Sequence, residues 1–281
     1  MPFVSANGIK LHYQRTGQGE RVLMIMGSSA SGRVWTMHQT PALNRAGYQT
    51  LTFDNRGIPP TDVPPGDYTL EEMVADTVGL IDSLDYGPCQ VVGTSLGAMI
   101  AQQLAAERPD LVRGAVLIAT RARSDAYRKA LTRADRALTA DGVRLPRAYE
   151  AVHQVTQMLS PATLNDDRAV NMWLDLLELT GGESVGGGQS GVDTDADRRP
   201  LLSRISVPCR VISFTDDLVT PAALGAEVAA DIPDCDHVEI GSCGHWGYLE
   251  RPDEVNRAIT DFLDKHSLDR HGAGASAVGR R

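Results

Sequence analysis

The sequence lacks the long apolar runs that a membrane-spanning helix requires. Its apolar runs, such as residues 115–119, have about the length of one strand, whereas a bilayer span takes ~20 residues. Polar residues are spread throughout positions 1–17, which contain no apolar stretch typical of a secretory signal. We therefore expect a soluble, cytoplasmic protein without a membrane partner.

Basic side chains are also outnumbered. The chain has 27 Lys and Arg residues against 36 Asp and Glu residues, for a formal net charge of −9. Binding to nucleic acid or to an anionic surface depends on a basic patch, so no nucleic-acid partner is expected. A small uncharged molecule is the better match, and no motif reports the oligomeric state.

Cysteine is scarce as well. The four cysteines, Cys89, Cys209, Cys235 and Cys243, are scattered along the chain without the spacing of a metal site. We expect free thiols that pack inside strands, and neither a metal nor another cofactor.

What the sequence does contain is a regular alternation of strand-like and helical segments. Asn7-Gly8 predicts an N-terminal hairpin, and short apolar runs recur at 22–25, 49–53, 89–92, 115–119, 209–214 and 237–240. The clearest helix follows Thr69, with Glu72 placed for a capping box, and ends before Gly87. This alternation predicts an α/β fold with a mostly parallel, doubly wound sheet flanked by helices.

The alternation is interrupted between residues 124 and 199, where helical patterns occupy 125–140, 146–159 and 166–179. We predict a core formed by 1–123 and 200–265, a helical cap or lid at 124–199, and a flexible tail at 266–281. Within the insertion, residues 181–191 are six-elevenths glycine. That composition fits a hinge that gates a site, and equally an inert surface loop.

The pentapeptide Gly93-Thr94-Ser95-Leu96-Gly97 lies between a strand pattern and a strong helix pattern. A sharp turn in that context holds a serine in a strained conformation that projects its hydroxyl above the sheet. The following helix directs its positive end at the site. Ser95 is therefore predicted to be a nucleophile, and the alternative is an ordinary surface turn.

A serine hydroxyl needs a base, and histidine is the usual one. Among the seven histidines, His245 follows a predicted strand and a flexible loop, which places it at the carboxyl edge of the sheet. The carboxylate partner is predicted to be Asp217, at the end of another strand, with the adjacent Asp216 as its rival. The chain order Ser95, Asp217, His245 is the order that this type of fold uses.

Acyl transfer also requires donors for a developing oxyanion. We assign one to the backbone N–H of Leu96, directly after the nucleophile. The second is assigned to Ser28 in the loop after the strand 22–25, where Gly27 allows a tight bend.

With these motifs in place, the chain resembles the α/β-hydrolase family over residues 4–263. The resemblance rests on residues 93–97, on Asp54-Asn55-Arg56-Gly57, on the segment FTDDLVTP, and on Gly244-His245 followed by Glu250-Arg251-Pro252. Met26 departs from the family, because many members have histidine there, and Pro59 stands where glycine is common. We interpret Asp54 and Arg56 as structural residues that tether the loop by hydrogen bonds, with catalysis as the alternative.

The resemblance implies a serine hydrolase with a cap over its site, cleaving an ester, a thioester or a carbon–carbon bond of a hydrophobic small molecule. The Met26-Gly27 loop is similar to that of aclacinomycin methylesterase, a tailoring enzyme of secondary metabolism. Alternatives are cofactor-free perhydrolysis or haloperoxidation, and a non-hydrolytic role as a cyclase template or ligand receptor. The expected pocket residues are Gly27, Trp35, Met158, Trp173 and Trp246.

Overall fold

The computed structural model describes residues 2–143, 145–180 and 187–267. Its centre is an eight-stranded sheet in the order β1-β2-β4-β3-β5-β6-β7-β8. The strands are β1 Phe3–Ala6, β2 Ile9–Thr16, β3 Glu20–Ile25, β4 Tyr48–Phe53, β5 Cys89–Thr94, β6 Val112–Ile118, β7 Cys209–Phe214 and β8 Cys235–Ile240. β2 pairs antiparallel with β1 and β4, and the remaining pairs are parallel. The predicted fold class is therefore confirmed.

The N-terminal hairpin forms at the predicted dipeptide. Asn7 and Gly8 have φ values of 46° and 80°, the left-handed conformation that a two-residue hairpin turn requires at both positions. Ala6 and Ile9 are consequently paired across β1 and β2.

Helices cover both faces of the sheet. They are α1 Gln39–Arg45, α2 Leu70–Ser83, α3 Leu96–Glu107, α4 Ala126–Ala140, α5 Arg147–Met158, α6 Pro161–Leu164, α7 Asp167–Thr180, α8 Arg199–Leu202, α9 Ala222–Asp231, α10 Gly247–Glu250 and α11 Pro252–Lys265. One apolar core lies between the sheet and α2, α3, α8 and α9, and the other between the sheet and α1 and α11. Every residue of β5 is buried, as expected of a parallel strand covered on both faces.

The helix after Thr69 begins as predicted. The Thr69 side chain accepts a hydrogen bond from the Glu72 amide at 3.1 Å, and the Glu72 carboxylate accepts one from the Thr69 amide at 2.8 Å. This reciprocal pair is a capping box, which satisfies two amide donors that a helix start otherwise leaves unpaired.

The helical insertion occupies the chain between β6 and β7. The bounds of its helices α4, α5 and α7 differ by at most one residue at either end from those of the three predicted helices. One of its contacts with the sheet edge comes from α5, since the Trp246 amide donates to the Met158 carbonyl at 3.0 Å. The division of the chain into a core and a cap stays a prediction.

The glycine-rich segment is only partly described, because residues 181–186 lie outside the described residues. Residues Gly187–Gly191 form a 3-10 helix, in which Gly188 and Gln189 are buried. This part is docked against the core, so it is not an inert surface loop. The predicted tail from 268 onward also lies outside the described residues.

All four cysteines are free. Burial raises the pKa of Cys89, Cys235 and Cys243 to about 12, so these thiols are poor nucleophiles at neutral pH. Within the described residues, no cluster of three or more His, Cys, Asp or Glu side chains could hold a metal ion. No helix in the described ranges is both long and apolar enough to cross a bilayer.

Candidate active site

Ser95 lies at the turn between β5 and α3, at the carboxyl edge of the sheet. Its backbone angles, φ of 53° and ψ of −119°, fall in a region that residues with a side chain rarely adopt. The turn is held because the Ser95 amide donates to the Ile118 carbonyl on β6 at 2.9 Å. A Cβ atom at Gly97 would collide with the Ile25 carbonyl, so the start of α3 can approach β3 only without a side chain there. This strained backbone conformation directs the Ser95 hydroxyl beyond the end of β5.

His245 reaches the same point from the loop after β8. Its Nε2 atom lies 3.0 Å from Ser95 Oγ, within hydrogen-bond distance for proton transfer. Its Nδ1 atom lies 2.8 Å from Asp217 Oδ2. The three side chains singled out in the sequence are therefore brought together in one chain of contacts.

Asp217 is held by more than His245. Its side chain is buried, with the residue 3% exposed, and Oδ1 accepts hydrogen bonds from the amides of Val219 and Thr220 at 2.7 Å each. The Thr220 hydroxyl donates to Oδ2, also at 2.7 Å. Burial opposes ionisation of Asp217, but the charge and hydrogen bond of His245 together with the Thr220 donors outweigh it and lower the pKa of this carboxyl. The site thus keeps a charged carboxylate behind the imidazole.

The rival carboxylate, Asp216, has a different environment. Its backbone amide donates to the Cys243 carbonyl at 3.1 Å, and its residue is half-exposed. Of the two neighbouring aspartates, Asp217 is the one that contacts His245.

Glu250 fixes the loop that carries His245. Its Oε2 atom accepts from the Gly244 amide at 2.7 Å, and its Oε1 atom accepts from the Ser160 amide and hydroxyl at 3.0 and 2.7 Å. Ser160 precedes α6 of the insertion, so one carboxylate joins the histidine loop to the helical segment. The motif Glu250-Arg251-Pro252 was visible in the sequence, but nothing in the pattern indicated this role.

The loop after β3 lies against the nucleophile. A Cβ atom at Gly27 would lie 3.2 Å from the Ser95 Cβ atom and 3.8 Å from Ser95 Oγ. Glycine therefore leaves space beside the hydroxyl. Ser28 follows in this loop, and Leu96 occupies the first position of α3, where a backbone N–H has no partner inside the helix. Ser28 lines the same cavity as Ser95, and the role of both residues as oxyanion donors remains a proposal.

Asp54 tethers that loop, as its position in the sequence predicted. Its Oδ1 atom accepts from the Ser31 hydroxyl at 2.6 Å and from the Gly32 amide at 2.8 Å. On its other side, Oδ2 lies 2.6 Å from His12 Nδ1, a contact that the sequence did not suggest.

Among the described residues, the Arg56 side chain makes its hydrogen bonds and ion pairs with α2 and not with the loop after β3. Its guanidinium makes a paired contact with Asp76 at 2.6 and 2.8 Å and a third with Glu72 at 3.0 Å. The hydrogen bond with Asp76 raises the pKa of Arg56. This side chain links the loop after β4 to α2, which is a structural role.

A cavity of about 240 Å³ opens over Ser95 and His245. Three of the predicted pocket residues line it, namely Gly27, Met158 and Trp246. The lining residues that the sequence reasoning missed include Gln154, Val219 and Tyr248, because their place over the site depends on how α5 and the loops pack.

Two predicted pocket residues lie elsewhere. Trp35 is 0% exposed and packs within the core against Tyr248, with ring centroids 5.5 Å apart, so its assignment to the pocket is corrected. Trp173 on α7 is not among the cavity-lining residues. Its ring packs against that of Trp246 at a centroid distance of 5.2 Å, so it contacts a residue of the pocket wall.

The comparisons with known proteins agree with this architecture. Residues 20–252 match the family model for the alpha/beta hydrolase fold. A protein of Mycobacterium tuberculosis named "Putative non-heme bromoperoxidase BpoC" is 43% identical over 257 residues, which are 91% of this chain and 98% of that protein. Its crystal structure superposes with a TM-score of 0.88 at 42% identity, covering 92% of this chain and 97% of the other.

Two more distant relatives carry names of ester-cleaving enzymes. The 3-oxoadipate enol-lactonase 2 of Acinetobacter baylyi is 25% identical over 273 residues, covering 93% of this chain and 96% of that protein. The pimeloyl-[acyl-carrier protein] methyl ester esterase of Chromobacterium violaceum is 28% identical over 271 residues, covering 91% and 99%. With a family model spanning most of its length and a relative above 40% identity, the chain belongs to the α/β-hydrolase fold family.

Proposed function

We propose that the protein is a serine hydrolase that cleaves a carboxylic ester or thioester bond. The observation that carries the proposal is the contact chain from Ser95 Oγ to His245 Nε2 at 3.0 Å and from His245 Nδ1 to Asp217 Oδ2 at 2.8 Å. A serine, a histidine and a buried carboxylate in this arrangement form the machinery of acyl transfer.

In the first half of the reaction, Ser95 Oγ attacks the carbonyl carbon while His245 Nε2 takes its proton. The carbonyl oxygen becomes negatively charged and is stabilised by the N–H groups of Leu96 and Ser28. The carbon–oxygen or carbon–sulfur bond then breaks, and His245 returns the proton to the leaving group. Asp217 holds the imidazole and stabilises its cationic form.

In the second half, water attacks the ester between Ser95 and the acyl group. His245 takes a proton from that water and delivers it to Ser95 Oγ as the acid leaves. The enzyme is thereby restored, and the net reaction consumes one water for each bond cleaved.

The cavity supports a small hydrophobic substrate. Its volume of about 240 Å³ is below the roughly 300–1,000 Å³ usual for sites of drug-sized ligands. Met26, Met158 and Trp246 contribute apolar surface, and Gln154 adds a polar group from α5. Carbon–carbon hydrolysis of a compact substrate and a tailoring role in secondary metabolism are variants of the same proposal. We also propose that the protein acts in the cytoplasm and has neither a nucleic-acid nor a membrane partner.

A second candidate is perhydrolysis, which the bromoperoxidase name of the 43% identical relative favours. Here hydrogen peroxide would replace water in attacking the acyl group on Ser95, releasing a peracid and restoring the serine. The peracid would then oxidise bromide to hypobromite and be reduced to the carboxylic acid. Product analysis with peroxide and bromide present separates this route from hydrolysis.

The test of the main proposal is labelling by a fluorophosphonate. Ser95 Oγ would bond to phosphorus, fluoride would leave, and His245 would take the serine proton. We expect wild-type protein and Ser203→Ala, which alters an exposed serine, to be labelled, and Ser95→Ala to remain unlabelled. A folded wild-type protein that is not labelled would refute the proposal.

The Ser95→Ala variant also addresses a non-hydrolytic role. Covalent catalysis predicts a loss of turnover of at least ~10³-fold. An unchanged rate would instead favour a pocket that acts as a template or receptor.

A further inference from the structure

Gln189 is a buried glutamine in the 3-10 helix Gly187–Gly191, with 5% of its residue exposed. Both ends of its side-chain amide are used. Oε1 accepts a hydrogen bond from the Ser29 amide at 2.8 Å, and Nε2 donates to the Arg56 carbonyl at 2.8 Å. One side chain of the insertion therefore joins two core loops beside the site.

The segment that carries Gln189 is packed tightly against the core. The Gly188 carbonyl accepts from the Tyr68 amide at 2.9 Å, and a Cβ atom at Gly188 would collide with the Gly66 carbonyl. The glycine permits this close approach. Gln189 is thus presented from a backbone that is itself held in place.

The bond to Ser29 fixes the loop next to a proposed oxyanion donor. Ser29 has a φ of 57°, a left-handed conformation that costs free energy for a residue with a side chain. On the other side of Ser28, the Met26 carbonyl accepts from Asn55 Nδ2 at 3.0 Å. The Ser28 N–H lies between these two anchored points.

We propose that Gln189 is a positioning residue that holds the 27–29 segment so that the Ser28 N–H faces the developing oxyanion. Gln189 acts through Ser29, which lines the cavity, whereas Gln189 is not among the lining residues. The inference deepens the proposed hydrolase function and rests on it. It also gives the glycine-rich segment a role in catalysis that its composition did not reveal.

The test compares Gln189→Met with Gln103→Met. Gln103 is a similarly buried glutamine on α3 whose amide donates to Glu107, so it controls for the loss of a buried amide. For hydrolysis of a p-nitrophenyl ester, we expect Gln189→Met to lower kcat by about 10- to 100-fold while KM changes by less than about threefold. Gln103→Met should keep the wild-type kcat.

An arylboronic acid provides a readout that a loss of stability alone would not move. Ser95 Oγ adds to boron, His245 takes the serine proton, and a boronate oxygen occupies the oxyanion position. Affinity for this tetrahedral adduct should fall by the same factor as kcat/KM in Gln189→Met.

Gln189→Glu tests the two hydrogen bonds chemically. The ionised carboxylate can accept from Ser29 but cannot donate to the Arg56 carbonyl, whereas the protonated form can do both. Its activity relative to wild type at the same pH should therefore rise as the pH is lowered.

The outcomes separate the two proposals. A wild-type protein that is folded but neither labelled by fluorophosphonate nor active would refute the hydrolase function, and the role of Gln189 with it. An active wild type alongside a Gln189→Met variant of equal kcat and equal boronate affinity would refute the positioning role alone. Equal losses in Gln189→Met and Gln103→Met would also refute it.

Discussion

Replacing Asp217 by asparagine should disable the site while leaving the loop in place. The asparagine oxygen can still accept from the amides of Val219 and Thr220, which donate to Asp217 Oδ1 at 2.7 Å. The new NH₂ group then takes the position of Oδ2, 2.8 Å from His245 Nδ1. Since an amide nitrogen only donates, it stabilises the tautomer of His245 that is protonated on Nε2. That tautomer cannot accept the proton of Ser95.

The magnitude follows from these contacts. An incorrect tautomer and the loss of the negative charge behind the imidazolium together reduce turnover by about 10³- to 10⁴-fold in triad enzymes. Each tenfold loss corresponds to about 1.4 kcal/mol of barrier, so the expected increase is about 4–5.5 kcal/mol. The Thr220 hydroxyl also loses its carboxylate acceptor, which should lower the free energy of unfolding by about 1–3 kcal/mol.

The assay is steady-state hydrolysis of a p-nitrophenyl ester, with circular dichroism to verify folding. Asp216→Asn is the matched control, because it changes the neighbouring carboxylate, which does not contact His245 among the described residues. We expect it to retain activity within about threefold of wild type. If folded Asp217→Asn retained more than a tenth of wild-type turnover, the assignment of Asp217 would be refuted.

Three further predictions concern the same region. Gly27→Ala places a methyl group 3.2 Å from the Ser95 Cβ atom and should lower kcat/KM by about tenfold or more, because the acyl group is misplaced. The control Gly241→Ala places its methyl group in open space and should not lower kcat/KM. Gly97→Ala forces a methyl group into a backbone carbonyl at the end of β3. It should lower the free energy of unfolding, measured in urea, by about 3 kcal/mol or more, and a loss below about 1 kcal/mol would contradict this packing. The pKa of Asp217 is lowered in the folded protein, so its stabilisation of the fold should be complete above the unfolded pKa near 3.9 and disappear as the pH falls through the folded pKa. Acid unfolding of Asp217→Asn should therefore depend less steeply on pH below about 3.9 than that of the wild type.

Much of the fold was predictable because its signals are local. A parallel sheet buried on both faces requires short, continuous apolar runs, and β5 and β6 are such runs. The capping box at Thr69 and the turn at Asn7-Gly8 depend on residues within a few positions of each other. Such features form from neighbouring residues, and their sequence patterns are therefore specific.

The site was predictable to the extent that topology places strand ends together. Ser95, Asp217 and His245 follow three different parallel strands, whose carboxyl ends meet at one edge of the sheet. Their meeting at 2.8 and 3.0 Å follows from that topology. The choice between Asp216 and Asp217 depends on which side chain the tight turn after β7 directs inward.

The pocket was less predictable because it depends on packing between distant segments. Trp35 was expected over the site, yet its ring lies in the core beside Tyr248. Aromatic residues suit a pocket wall and a core equally well, so composition cannot distinguish them. Gln189 gave no signal either, because its two partners lie 160 and 133 residues away in the chain.

By itself, the sequence determined the order of strands and helices and the three side chains at the strand ends, since hydrophobic period and strand-turn-helix motifs are encoded in short segments. The space in front of Ser95 and the support behind it come instead from tertiary packing. The walls come from α5 and the histidine loop, and the proposed oxyanion loop is held by Asn55, Asp54 and Gln189 from separate parts of the chain. The contacts of Gln189 exist only once the insertion packs on the sheet, which is why residue patterns along the chain could not reveal them.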